Sequence, residues 1–386
     1  MQIIEVTGKY LERVFIEVNV NLYKNDPNYI RPLDKDIGEV FNPNTNKAFQ
    51  NGKIIRWVLQ DEKGGFIGRI AAFVSDKYKN KGDKQPTGCF GFFDCINDQD
   101  AANLLFDTAK NWLIGQGMEA MDGPINFGER DKWWGLVVEG FQPPLYGMNY
   151  NFPYYKELFG RYGFGVFYYQ NCHSRKVYGK LDDRFYTGHK RLEERGGFEC
   201  RMITKEKLED YARDFVKVYN AAWAIHEGNK EMSEELAIKL FRAMKPIMDP
   251  RIAWLTYYKN EPIGMYISIP DLNTVFRRFN GKFGWWEKLR FLYYQKTGGL
   301  NKMVGIIFGV VPRFQALGVD YFMIVEAAKV IQYKTEYQET ELQWQGDFNP
   351  KINNISKHLG FSQSRRLATF RYLFNRSRPF ERHPIL

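Results

Sequence analysis

Residues 306–324 read IIFGVVPRFQALGVDYFMI, and this stretch decides the fold. It opens with an apolar, β-branched run at 306–311 that contains a single glycine, which predicts a buried strand. Pro312 ends that strand because proline has no N–H group to give to a sheet. Apolar residues then recur at helical spacing beyond Gly318, which predicts a helix. A tight loop between a strand and a helix presents backbone N–H groups at the positive end of the helix, a geometry that binds phosphate-like anions.

The spacing within this loop is Val310-x-Pro312-x-x-Gln315-x-x-Gly318-x-Asp320. It resembles the pyrophosphate-binding motif of the GNAT superfamily, the N-acetyltransferases that use acetyl-coenzyme A, except that Asp320 replaces a small residue. That carboxylate either repels a diphosphate or is an ordinary acidic residue in the first turn of a helix. The resemblance implies acetyl-CoA or another acyl-CoA as co-substrate, whereas the spacing alone is also compatible with a turn that binds nothing. The implied cofactor-binding residues are Val310, Val311, Gln315, Ala316, Leu317, Gly318, Val319, Asp320 and, further on, Asn349.

The composition of the 386 residues favours a protein with packed cores and an anionic ligand. Hydrophobic residues make up 44% and aromatic residues 17%, so the chain has ample material for two domains. No apolar run approaches the ~20 residues that span a bilayer, and the N-terminus lacks a signal-peptide layout, so we expect a cytoplasmic protein. The four cysteines and five histidines show no metal-binding spacing, and we expect no metal. The net charge of +10 fits coenzyme A, nucleic acid or an acidic lipid surface, and also plain solubility.

The two halves of the chain repeat each other. Short matches recur in the same order at offsets of 196 to 198 residues (204 − 7, 264 − 68, 361 − 164 and 349 − 151). We therefore predict a duplicated domain, with one copy at 1–190 and the other at 191–386. The matching pairs are Val6-Thr7 with Ile203-Thr204, Ile67-Gly68 with Ile263-Gly264, Gly163-Phe164 with Gly360-Phe361, and Asn151 with Asn349.

The order of predicted elements in each half is that of the GNAT layout, so the expected fold class is α/β, with two tandem GNAT folds on mixed sheets. The first half also resembles a poorly characterised bacterial GNAT branch along its length. The passages that carry this resemblance are Leu22-Tyr23-Lys24-x-Asp26-Pro27, Gly68-Arg69-Ile70-Ala71-Ala72, Asp122-Gly123-Pro124-Ile125-Asn126 and Pro153-Tyr154-Tyr155-Lys156-Glu157-Leu158.

The first half departs from the coenzyme A pattern. After its strand at 90–96 comes Asn97-Asp98-Gln99-Asp100-Ala101, which has no glycine and places two carboxylates where a diphosphate would approach. We therefore expect this half to have lost cofactor binding. Its long loop, 126–151, carries Trp133, Trp134 and Tyr146, which either line a substrate cleft or cover the core.

In the second half, the segment that begins at Asn349 resembles the GNAT helix that ends in Gly360-Phe361. The tyrosine that protonates the departing thiolate in that family falls at Ser356, a poor acid, so that role is open here. An insertion at 271–302, rich in Trp, Phe, Arg and Lys, is either a flap over the cleft, a surface for an anionic partner, or a packed helix with a solvated basic face.

Acyl transfer to an amine requires a held thioester, a polarised carbonyl and a base. A backbone N–H near Val310 or Val311 is the candidate for polarising the carbonyl. His226 and Glu227, in the loop of the acceptor wall, are the preferred bases, and Glu341 is the second choice.

The function that these features predict is acyl-CoA-dependent N-acyltransfer, most simply N-acetyltransfer, to an unknown small-molecule or peptide amine. Two alternatives stay open. One is an aminoacyl-tRNA-dependent transferase, because tandem GNAT-like folds also carry that chemistry and the basic charge suits tRNA. The other is a binding protein without catalysis, which Asp320 and Ser356 would permit.

Overall fold

The computed structural model describes residues 1–223 and 231–385; His226 and Glu227 therefore lie outside the described residues. Among the described helices, none combines the length and the apolar composition that crossing a lipid bilayer requires.

The first half of the chain forms seven strands and five helices. They alternate so that a hairpin and a third strand precede the longest helix, as predicted from the sequence. The elements are β1 Gln2–Glu5, α1 Gly8–Tyr23, α2 Asp34–Val40, β2 Gly52–Gln60, β3 Phe66–Ser75, β4 Thr87–Cys95, α3 Gln99–Gly115, β5 Ala120–Gly123, β6 Leu136–Glu139, α4 Tyr155–Tyr162, β7 Gly165–Lys176 and α5 Asp183–Arg195.

The described residues of the second half repeat this order, with an insertion between the hairpin and the next strand. The inserted elements are α8 and α9, and the whole set is β8 Phe198–Met202, α6 Leu208–Trp223, α7 Glu234–Met244, β9 Ala253–Tyr258, β10 Glu261–Pro270, α8 Asn273–Phe276, α9 Trp285–Lys296, β11 Lys302–Val310, α10 Val319–Lys334, β12 Glu339–Leu342, β13 Gln345–Gly346, α11 Pro350–His358 and β14 Ser362–Leu373.

One mixed sheet runs through both halves, and the two halves exchange their last strands. The strand order is β1-β2-β3-β4-β5-β14-β7-β12-β11-β10-β9-β8, with β6 paired to β14 and β13 to β7. Thus β14, from the end of the chain, pairs with β5 of the first half, and β7 pairs with β12 of the second half. The exchanged strands also pair with each other, from Ser362 opposite Ser174 to Arg371 opposite Gly165.

Aromatic packing explains how the first half closes its core. Helix α3 begins after Asp98, whose carboxylate accepts a hydrogen bond from the N–H of Ala101 at 2.8 Å, an N-cap that satisfies one of the free donors of the helix. The helix then buries Leu105 and Phe106 against the sheet. The tryptophans of the long loop, Trp133 and Trp134, are buried in a neighbouring cluster, and Trp133 also lines a cavity together with Tyr146.

The insertion packs as a small aromatic unit that contacts both halves, because Leu33 and Tyr146 of the first half lie in the same cluster. Phe291 of α9 is 5% exposed and lies in a cluster with Phe276 and Phe279, and the ring of Phe283 lies 5.1 Å from that of Phe276. This cluster fixes which face of α9 turns inward.

Candidate functional site

The stretch that decides the fold has the predicted form of strand, loop and helix. Strand β11 ends at Val310, one turn of 3-10 helix covers Pro312–Phe314, and α10 begins at Val319. Gly318 occupies the N-cap position with φ of 90°, a left-handed conformation that glycine adopts without strain. The sequence pattern therefore reports the local backbone correctly.

Some backbone N–H groups of the loop are already hydrogen-bonded within the protein, and others are not. The N–H of Val311 donates to Ile263 O at 2.9 Å, and the N–H of Gln315 donates to Pro312 O at 3.1 Å, so both point into the protein. The side chain of Gln315 also turns inward, to Val310 O at 2.9 Å. The N–H groups of Val319 and Asp320, in the first turn of α10, have no acceptor within the helix by position, so they remain the predicted donors for an anion.

A cation that the sequence analysis missed lies beside this loop. Arg191, on α5, donates from Nη2 to Leu317 O at 3.0 Å, and the same nitrogen lies 3.1 Å from where a Cβ on Gly318 would be. Arg191 forms no ion pair with any residue of 1–223 or 231–385. It adds a positive charge to a loop in which Asp320 is half-buried. Arg191 belongs to no recognisable sequence motif, and it lies beside the loop only because of the fold.

Strands β11 and β12 run parallel for four residues and then separate. The last paired residues are Gly305 and Leu342. On the other side of β11, the pairing with β10 jumps from Ile307 to Gly305, so Ile306 is the extra residue of a β-bulge. A bulge leaves its extra residue unpaired and bends the strand, which opens the sheet at this point.

A cavity of about 500 Å³ lies at the opening. Its walls are β11, β12, the inner face of α10 and the facing side of α11. Helix α10 contributes Ile324, Ala327, Ala328 and Ile331, which recur at helical spacing on one face. The only charged side chain among the described lining residues is Arg175, which donates from Nη1 to Leu359 O at 2.8 Å. The cavity therefore suits an apolar group.

Helices α10 and α11 are joined by a side-chain contact outside the described lining of the cavity. The hydroxyl of Tyr321, in the first turn of α10, lies 2.9 Å from Nε2 of His358 at the end of α11. Arg184 of α5 lies against the other ring nitrogen, Nδ1, at 3.1 Å.

Glu341, the second-choice base, lies on β12 in a buried cluster of charges. Its carboxylate is 0% exposed and accepts bonds from Arg365 Nε at 2.7 Å and Lys302 Nζ at 2.6 Å. Burial by itself would raise the pKa of this carboxyl, but Arg365 and Lys302 outweigh burial and hold the pKa below its ordinary value. Since a base with a lowered pKa is weak, the cluster favours a structural role, and the catalytic role of Glu341 stays a prediction.

Two further residues considered in the sequence analysis lie at or in helix α11. Asn349 precedes α11, and its N–H donates to Gly346 O at 3.0 Å. Ser356 is 1% exposed, lines the cavity, and exchanges hydrogen bonds with the Gln345 side chain at 2.7 and 2.9 Å. The structure thus brings Ser356 to the cavity, whereas no residue of 309–323 is among its described lining residues.

Phenylalanine fills the corresponding space of the first half. Phe90 of β4, Phe106 of α3 and Phe159 of α4 are buried and in mutual contact, with ring centroids 5.0 to 5.9 Å apart. The repeat offset of 197 residues sets Phe159 against Ser356 (356 − 159). Beside this cluster, the Asp98 carboxylate caps α3, at the place where a phosphate would bind a helix N-terminus.

Comparison with known proteins gives distant relatives over almost the whole chain. No protein-family model matches the chain. The bacterial ceramide synthase of Caulobacter vibrioides (strain NA1000 / CB15N) is 23% identical over 357 residues, which cover 90% of this chain and 90% of that protein. Protein YghO of Escherichia coli (strain K12) is 24% identical over 371 residues, which cover 93% of this chain and 92% of that protein.

Solved structures share the fold at low sequence identity. A tandem GNAT protein from the clavulanic acid biosynthesis pathway matches 98% of this chain and 99% of its own, with a TM-score of 0.53 and 11% identity. The GCN5-related glucosamine N-acetyltransferase region of a fungal multi-domain GH3 β-N-acetylglucosaminidase gives a TM-score of 0.55 at 10% identity. The match covers 96% of this chain and 38% of that longer chain.

The architecture and these matches define the class of the protein: an α/β chain with the fold of tandem GNAT proteins, as predicted from the sequence.

Proposed function

We propose that this chain is an acyl-CoA-dependent N-acyltransferase that takes a long acyl group and passes it to an amine. The observation that supports this proposal is the apolar cavity of about 500 Å³ between β11, β12 and α10. Its volume falls within the ~300 to 1,000 Å³ of sites that enclose small molecules. An acetyl group would leave such a cavity nearly empty, whereas a long alkyl chain would fill it.

Two sets of residues would hold different parts of the acyl-CoA donor. The N–H groups of Val319 and Asp320 and the guanidinium of Arg191 would bind the diphosphate of coenzyme A. The alkyl chain would lie against Ala328 and the other apolar residues of α10. Because the cleft of the first half is filled by phenylalanine, we assign donor binding to the second half, within the predicted unit 191–386.

The reaction needs two further contributions from the chain, a group that polarises the carbonyl and a base. The amine nitrogen attacks the thioester carbonyl, a C–N bond forms, the C–S bond breaks, and the thiolate takes up a proton as coenzyme A leaves. The N–H of Val311 donates to Ile263 O, so we assign polarisation of the carbonyl to the unpaired backbone at the Ile306 bulge. His226 and Glu227 keep the predicted role of base that accepts the proton of the amine.

The name of a distant relative is consistent with a long-chain acyl donor. The protein of Caulobacter vibrioides is named bacterial ceramide synthase, and a ceramide is a long-chain amine acylated by a fatty acid. We extend only this general chemistry to the present chain: a long acyl donor and an amine acceptor, which is itself an amphiphile.

The proposal predicts how the binding affinity depends on the length of the acyl chain. Each methylene group removed from water contributes about 0.8 kcal/mol. Four further methylenes in the cavity therefore strengthen binding by about 3 kcal/mol, on the order of 100-fold.

Calorimetry with acetyl-, octanoyl- and hexadecanoyl-CoA tests the proposal. We expect affinity to rise with chain length, and mass spectrometry of mixtures with long-chain amino alcohols to show the amide product. Equal affinity for all three thioesters would contradict the assignment of the cavity. Binding that rises with length but gives no amide would leave a lipid-binding protein without catalysis. Failure to bind any thioester, with amino acid transfer from charged tRNA, would support the tRNA-dependent alternative.

A further inference from the structure

Helix α9 of the insertion turns a stripe of large apolar side chains to solvent. Trp285 and Trp286 are each 68% exposed and Tyr293 is 63% exposed, with Leu292 at 50% and Leu289 at 42%. Their spacing of one, four, seven and eight residues from Trp285 places them on one face of a helix. Five large apolar residues in one exposed stripe are more than scattered surface hydrophobics, and such patches mark interaction sites.

The opposite face of α9 holds the stripe in this orientation. Phe291 is buried in the aromatic cluster of the insertion, and Gln295 Nε2 donates to Pro246 O at 3.2 Å. At the start of the helix, Glu287 accepts a hydrogen bond from the N–H of Gly284 at 2.9 Å. Because the inward face is already packed and capped, rotating the stripe into the protein would expose Phe291 instead.

Basic side chains are concentrated in the insertion and have no acidic partners, although Arg278 and Arg290 lie over the rings of Tyr294 and Phe279. Residues 273–296 contain six basic residues and one acidic residue, Glu287, which caps the helix. All six are exposed, and none forms an ion pair with another described residue. The six are Arg277, Arg278, Lys282, Lys288, Arg290 and Lys296.

We propose that α9 docks this protein on the surface of an anionic lipid bilayer. Tryptophan and tyrosine favour the boundary between acyl chains and headgroups, because one part of each ring is apolar and the other is polar. Leu289 and Leu292 would enter the acyl region, and Lys288 and Arg290 would meet the headgroup phosphates. Nucleic acid would use the positive charges but would leave the two leucines in water, so the lipid surface fits the whole face better.

This surface is separate from the cavity assigned to the acyl donor, since no residue of α8 or α9 lines that cavity. Membrane docking can therefore be tested independently of the proposed reaction. If both hold, docking brings the enzyme to the membrane in which amphiphilic substrates reside.

Flotation of the full-length chain with vesicles tests the proposal. We expect binding to vesicles of phosphatidylcholine mixed with phosphatidylglycerol, weaker binding in high salt, and little binding to phosphatidylcholine alone. The double variant Trp285→Ala/Trp286→Ala should lose at least about tenfold in affinity. The double variant Lys288→Glu/Arg290→Glu should lose binding only to the anionic vesicles.

A matched control removes two exposed tyrosines on other helices. Tyr10→Ala/Tyr333→Ala changes side chains that are 72% and 81% exposed, and it should bind vesicles like the unchanged chain. Thermal unfolding midpoints show whether each variant is folded. Vesicle binding that is absent, or that the tryptophan variant does not weaken, would overturn the proposal. So would a tRNA gel shift or a dimer that depends on Trp285 and Trp286 when vesicles are not bound.

Discussion

Replacing Glu341 by glutamine is expected to destabilise the protein strongly, because it removes the negative charge that the buried Arg365 and the partly buried Lys302 share. The Glu341 carboxylate is 0% exposed, and its main partner Arg365 is 1% exposed. Arg365 binds it through Nε at 2.7 Å and Nη2 at 3.1 Å, and Lys302 approaches at 2.6 Å. Arg365 cannot lose its proton, so the variant leaves a cation in the interior without a counter-charge.

The size of the effect follows from this burial. Breaking a buried pair by removing one partner costs about 3 to 5 kcal/mol, and glutamine should fall at the lower end because it still offers one acceptor oxygen. A matched control is Glu339→Gln on the same strand. Glu339 pairs with Lys302 and Lys176 but is 23% exposed, so its loss should cost about 1 kcal/mol or less.

Urea unfolding at neutral pH measures both variants, and an acid series adds a second test. The pKa of Glu341 is lowered in the folded state, so its stabilising contribution is present above the pKa of an unfolded glutamate, about 4.3. This contribution is lost as the pH falls through the lower folded pKa. The stability difference between the unchanged chain and Glu341→Gln should therefore be full at neutral pH and shrink only in acid.

The same variant separates the two roles considered for Glu341. A loss of activity with an unchanged urea midpoint would refute the structural reasoning and support the role of base. Equal destabilisation by Glu341→Gln and Glu339→Gln would show that burial does not set the magnitude.

Three other changes test the site. Ala328→Phe places a ring in the cavity, and calorimetry should show a loss on the order of 100-fold for hexadecanoyl-CoA and little loss for acetyl-CoA, whereas a uniform loss would speak against a chain-binding cavity. Gly318→Trp adds a side chain at φ of 90° beside Arg191 and should remove coenzyme A binding in calorimetry. The control Gly64→Trp, at φ of 85° in a distant turn, should bind coenzyme A as the unchanged chain does. Phe159→Ala should lower the free energy of unfolding by about 3 to 5 kcal/mol in urea, and a change below about 1 kcal/mol would mean that the first-half cleft is not tightly packed.

The local backbone could be predicted from the sequence because its causes are local. Pro312 ends a ladder, Gly318 permits a left-handed N-cap, and apolar spacing shows the inner face of α10. The duplicated order of elements followed from matches at a nearly constant offset. These signals lie within a few residues of each other or recur at one spacing.

The parts that could not be predicted depend on contacts between remote residues. Arg365 meets Glu341 only because β14 and β12 both flank β7, and Arg191 reaches Gly318 only because α5 packs on α10. The apolar cavity likewise depends on Ala328 and Ser356 coming together from different helices. Contacts of this kind cannot be predicted from residue spacing, because hydrogen bonds and packing across the sheet leave no local pattern in the sequence.

The crossing of β7 and β14 ties the stability of one half to the integrity of the other. A fragment that stops at residue 190 would keep β7 but lack the strand that completes the edge beyond β5, and the remaining fragment would lack the neighbour of β12. Each piece would present an open β-edge, which invites aggregation. We therefore expect that neither half folds as an autonomous module, and that heat or denaturant unfolds both in a single transition.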